Sequence, residues 1–161
     1  MKTIPEEVID ETWQHFSELS ESEAQALAQQ MQEEQPFIMI YLLAADEDAT
    51  GEEDAGSLME LGAIIWQVMS QGGTRLRQVS GEELEAAEDA NMKFLEGLEE
   101  GPEMDYLGAV KQMIASYNQM PLLGAVLEAL MAGNEDTPEL AGENVGLSLL
   151  HLKTVIDCLD Q

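Results

Sequence analysis

Thiol chemistry is nearly absent from this chain, which carries one cysteine, Cys158. It cannot form a disulfide within the chain, so the composition gives no sign of an oxidising compartment, and a reduced cytoplasm is the expected setting. Positive charge is also scarce: six Lys and Arg stand against 33 Asp and Glu, a net charge of -27. A surface of that sign repels phosphate backbones and anionic headgroups, which makes nucleic acid and membranes poor partners. The longest uninterrupted apolar run, Phe37 to Ala45, falls far short of the roughly 18 residues that suggest a membrane span. The opening Met-Lys-Thr-Ile-Pro-Glu-Glu turns acidic at once and has neither the basic start nor the apolar stretch of a secretory signal. A soluble protein is expected.

Chemical motifs are missing too. There is no Gly-x-Gly-x-x-Gly, no phosphate loop ending in Lys and Ser or Thr, and no Gly-x-Ser-x-Gly elbow. His-Glu-x-x-His does not occur, and neither of the two histidines follows a Glu-x-x step, so the usual di-iron bundle signature is absent. Glu11 and His15 are one helical turn apart, but two groups do not make a metal site, and an ordinary boundary histidine is the simpler reading. Cys158 and His151 would stand about 10.5 Å apart along one helix, too far for direct proton transfer. A non-enzymatic role is the better expectation. An enzyme with an acidic, metal-assisted site is the rival, and converging carboxylates with a shifted pKa would favour it.

What the chain does have is helical periodicity, repeated along its length. Ile9, Trp13 and Phe16 recur on one face of a first helix, and Thr3-Ile-Pro-Glu6 reads as its cap. Ser20-Glu-Ser-Glu23 caps a second helix with Ala24, Leu27, Ala28 and Met31 inward, and Pro36 starts a third. Two stretches, Pro36 to Ala45 and Leu58 to Met69, are apolar nearly all round and are expected to form the buried centre. Ser80-Gly-Glu-Glu83 caps a fifth helix bearing Leu84, Ala87, Asn91, Phe94 and Leu98; another is read from about Glu103 to Asn118. Pro121 opens a helix through Leu122, Leu123 and Val126. In the last one Val145, Leu149, Leu152, Ile156 and Leu159 make a seam, with His151 and Lys153 off it. Arg75 and Arg77 are read as neutralising nearby carboxylates.

Leu-Gly-Ala recurs at 61, 107 and 123, and a glycine inside a helix costs about 1 kcal/mol against alanine, so close helix crossings are expected there. Gln35-Pro36 and Met120-Pro121 each precede an apolar helix. The fold class read from these patterns is all-α in a single domain: stacked antiparallel hairpins of about seven or eight helices, either a HEAT/armadillo-like superhelix or a compact orthogonal bundle. Ten methionines lie mostly in apolar helical runs and are read as core fillers.

One stretch resembles a chemical motif. Asp46, Asp48, Thr50, Gly51 and Asp54 match the first, third, fifth, sixth and ninth places of an EF-hand calcium loop, where oxygen ligands surround a glycine turn. The twelfth place, where a bidentate Glu belongs, is Ser57, and Glu53 stands where an apolar residue is usual. The resemblance implies calcium held by Asp46, Asp48, Thr50 and Asp54. Without the twelfth ligand, the expected behaviour is weak collection of calcium and magnesium alike. The functional expectation from the whole chain is a protein-protein interaction scaffold or adaptor with a basic partner, met in an acidic groove between stacked helices.

Overall fold

Serine caps set the helix starts as the pattern predicts. The Glu23 N–H donates to Ser20 Oγ at 3.2 Å, and at the second site the Glu83 N–H donates to Ser80 Oγ at 3.2 Å while the Ser80 N–H donates back to Glu83 Oε2 at 2.9 Å. The structure, a computed structural model, describes residues 2–50, 57–72, 75–99, 111–132 and 138–160. Their regular structure is helical throughout: α1 (Glu6–Ser17), α2 (Glu21–Glu34), α3 (Pro36–Thr50), α4 (Ser57–Ser70), α5 (Gly81–Glu99), α6 (Met120–Ala132) and α7 (Pro138–Leu159), with a further helical stretch at 111–115. The expected all-α class is what forms. No described helix is long and apolar enough to cross a membrane.

The first predicted cap is a correction. Pro5 occupies the N-cap position of α1 with ψ 152°, no side chain caps it, and Thr3 Oγ1 instead donates to the Asn118 carbonyl at 2.6 Å. Residues before α1 are therefore extended and tied across the molecule.

The centre is built from α4 and the second half of α7. Leu58, Ile64, Ile65, Trp66, Val68 and Met69 of α4 are buried, as are Leu149, Leu152, Val155, Ile156 and Leu159 of α7. These two helices pack on each other; α7 also touches α3, α5 and α6, and α4 touches α1, α2 and α3. The expectation of α3 and α4 as the buried pair is half right. Helix α3 buries Ile38, Leu42 and Ala45 but exposes Phe37, Ile40 and Leu43, so it forms part of the wall. Helix α2 is more peripheral still: Met31 is buried and Leu27 half-buried, whereas Ala24 and Ala28, read as inward, face solvent.

Two buried glutamines lock the corners in the same manner. Gln35, between α2 and α3, donates from Nε2 to the Arg77 carbonyl at 2.9 Å and accepts from the Val79 N–H at 2.9 Å. Gln119, before α6, donates to the Lys2 carbonyl at 3.0 Å and accepts from the Ile4 N–H at 3.0 Å. Each amide thus satisfies the carbonyl of one residue and the N–H two residues on in an extended lead-in, with Ile4 and Val79 buried beside it. Packing partners correspond as well: α1 rests on α4 and α6, and α5 rests on α7 and α3. In an open solenoid each unit meets only its sequence neighbours. Here α1 meets α6 and the lead-in to α1 bonds Gln119, which makes the closed bundle the better description.

The two described Leu-Gly-Ala glycines differ. A Cβ on Gly62 would lie 2.2 Å from Leu42 Cδ1, so this glycine permits the close α3–α4 crossing. At Gly124 a Cβ would meet nothing within 4 Å, and no crossing explains it; Gly108 lies outside the described residues. Gly124→Ala is accordingly expected to raise stability by about 0.5–1 kcal/mol, from helix propensity and a less free unfolded chain. Urea unfolding measures it, and a loss would show that the open space is needed.

Candidate functional site

The calcium-like run begins inside a helix. Residues 46–50, with Asp46, Asp48 and Thr50, continue α3 instead of opening the loop, so the link between α3 and α4 starts later than read. Asp54, and with it the second half of the run, lies outside the described residues. Among the described residues, no three His, Cys, Asp or Glu side chains come together as a set able to hold a metal ion. Glu11 and His15 line one wall of a cleft of about 490 Å³ between α1, α2 and α4, with Glu23 opposite and Phe16, Leu19 and Leu27 forming its apolar part. Thr12 and Gln71 join across that cleft, Gln71 Nε2 donating to Thr12 Oγ1 at 2.6 Å.

Three carboxylates, Glu83, Asp157 and Asp160, line a second cleft of about 480 Å³ together with Cys158 and Arg77. Each is committed to a structural bond. Arg77 pairs with Glu83 and, with the Ser80 backbone, holds its carboxyl down at about 2; this is the neutralising role expected for that arginine. Asp160 accepts from Asn118 Nδ2 at 2.9 Å and Gln119 Nε2 at 3.0 Å. Asp157 accepts from the Tyr117 hydroxyl, from Asn91 Nδ2 at 3.1 Å and from Lys153 Nζ at 2.9 Å. Burial, then the Asp157 and Glu83 charges, push the Cys158 thiol up to about 11, so it is protonated at neutral pH and lacks thiolate character.

The Asp157 bonds are one end of a polar network that sequence reading did not assemble. Asn91, placed on the apolar face of its helix by spacing, is buried and bridges α5 to α7: it accepts from Lys153 Nζ at 2.8 Å and donates to Thr154 Oγ1 at 3.0 Å. Lys153 Nζ also stands 4.9 Å from the centroid of the Tyr117 ring. His151, off the predicted seam, is buried, with Nδ1 2.8 Å from the Tyr41 hydroxyl. Burial, and then the nearby Glu88 charge, raise the Tyr41 pKa. No buried side-chain nitrogen or oxygen among the described residues lacks a partner. A polar network whose buried members are all satisfied fixes how the helices pack.

The feature that packing does not explain is the outward row of α3. Phe37 is 42% exposed, Ile40 64% and Leu43 53%, at successive steps of three residues and opposite Ile38, Leu42 and Ala45. A helix apolar on every side is ordinarily buried on every side. This one is covered on one side only. Glu33 and Glu34 close α2 just before Pro36 and line a cleft with Arg75 and Arg77, and the Phe37 ring is 3.8 Å from where a Cβ would stand on Gly81. Sequence reading found the apolar run but took it as core, because hydrophobicity alone does not say which side is covered. No protein-family model, curated protein or solved structure matches this chain.

Proposed function

We propose that the chain is a non-enzymatic interaction module for a basic protein in a reducing cytoplasm. The observation that carries this reading is the acidic surface of α1 and α2. Every acidic residue of the two helices is exposed, neither helix contains Lys or Arg, and the cleft they line with α4 holds Glu11 and Glu23 together with Phe16, Leu19 and Leu27. Two of the six cations are paired with carboxylates outside these helices, the exposed Arg77 with Glu83 and Lys153 with Asp157, so little positive charge offsets this field. Such a surface draws basic partners by long-range attraction and fits Lys or Arg side chains, whose apolar stems and charged heads match a lining of apolar and acidic side chains.

Capture from cell lysate on the immobilised chain tests the reading. The retained proteins are expected to be basic and to elute as monovalent salt is raised, because screening shortens the reach of the acidic field. Retention of neutral or acidic proteins, or retention indifferent to salt, would contradict it.

A further inference from the structure

From the outward row of α3 we infer a docking site for a cationic amphipathic helix, a segment with an apolar stripe flanked by Lys and Arg. The inference rests on the proposed basic partner and adds where, and by what shape, that partner is held. Three observations converge. First, Phe37, Ile40 and Leu43 are three of the five large apolar side chains described as exposed, and they stand within two turns of one helix. Second, the inward side of α3 is already fully engaged: Ile38 and Leu42 are completely buried, and Leu42 fits against Gly62 of α4 with no room for a Cβ there. The outward side chains therefore contribute nothing to that crossing, and their burial is still to be gained. Third, the chain carries a net charge of -27, and Glu33 and Glu34, in a cleft shared with Arg75 and Arg77, stand just before the row in sequence.

The shape of the row selects a helical partner. Side chains three residues apart form a ridge that interdigitates with the grooves of another helix. The charge selects its chemistry. A second copy of this chain would bring -27 against -27, and an anionic membrane would be repelled in the same way. A cationic helix can bury its stripe on Ile40 and Leu43 while its charge is drawn by the acidic surface as a whole.

The test uses the intact chain and a labelled synthetic peptide of about 20 residues, with leucines at helical spacing and lysines elsewhere, followed by fluorescence anisotropy. Wild type is expected to bind it. Ile40→Ser combined with Leu43→Ser should weaken binding about ten-fold or more with far-UV circular dichroism unchanged. Glu33→Gln, Glu34→Gln and Glu82→Gln together should weaken it and flatten its salt dependence; Glu11→Gln with Glu23→Gln, in the α1–α2 cleft, should leave it unchanged. A peptide of the same composition with its leucines scrambled off helical spacing should bind weakly.

If the Ile40/Leu43 variant binds as wild type does, the α3 site is overturned. If the cleft variant alone loses binding, the basic-partner reading stands and its place is the cleft. If wild type retains basic proteins from lysate but ignores the peptide, the helix is wrong and the reading survives; if it retains none, the reading itself fails. A dimer in sedimentation that the Ile40/Leu43 substitutions dissociate, or binding of the row to zwitterionic vesicles, would assign the face to another occupant and also overturn the inference.

Discussion

Asp157→Ala is expected to lower the free energy of unfolding by about 3 kcal/mol, because one carboxylate ends three bonds at once. Its oxygens accept from the Tyr117 hydroxyl, Asn91 Nδ2 and Lys153 Nζ. The Lys153 side chain is only 16% exposed, so removing Asp157 leaves a mostly buried ammonium with the Asn91 carbonyl oxygen and the Tyr117 ring as its described remaining contacts. An exposed ion pair would contribute about 0–1 kcal/mol; the larger figure follows from desolvation and from the shared partners. Asp157→Asn keeps the shape and one acceptor oxygen and should cost roughly half as much. Urea unfolding of both variants gives the comparison. A loss below about 1 kcal/mol for the alanine variant would mean that Lys153 reaches water and that the network adds little.

That network also shows where sequence reading stops. The helices, their serine caps, the α3 start at Pro36 and the glycine-permitted crossing at Gly62 were legible, because each depends on residues within a few positions of one another. Which helices lie at the centre was not. The run from Pro36 to Ala45 is more uniformly apolar than the end of α7, yet that end of α7 is enclosed and α3 is half open. Polar residues disguise α7: His151 and Lys153 fall off the apolar seam, and their partners beyond the helix, like those of Thr154 and Asp157, come from α3, α5 and residue 117, which no local pattern reveals. Gln35 and Gln119 are hidden for the same reason. Each is a polar residue before a proline-led helix until the distant lead-in at 77–79 or 2–4 is placed against it. Spacing put Asn91 and Phe94 on one inward face, whereas the structure buries Asn91 and leaves Phe94 41% exposed. Of the candidate site, the acidic surface of α1 and α2 was legible from composition, and the exposure of the α3 row was not.

The two sides of α3 should therefore respond to substitution in opposite ways. Leu42 is completely buried against Gly62, so Leu42→Ala removes apolar burial and opens a cavity that a close helix crossing cannot easily collapse; a loss of about 2–5 kcal/mol is expected. Ile40 and Leu43, only two and one residues away, give up little packing when shortened, and exposed substitutions of this kind stay within about 0.5 kcal/mol. The same helix would then hold the fold with one face and present the other.

Urea unfolding of the Ile40→Ser, Leu43→Ser double variant beside Leu42→Ala is the most direct measurement of that division. The double variant should unfold at the wild-type midpoint with the wild-type slope, and Leu42→Ala at a clearly lower urea concentration. A double variant destabilised as much as Leu42→Ala would show that the outward row is packed within the fold, and the face would then be closed to any partner.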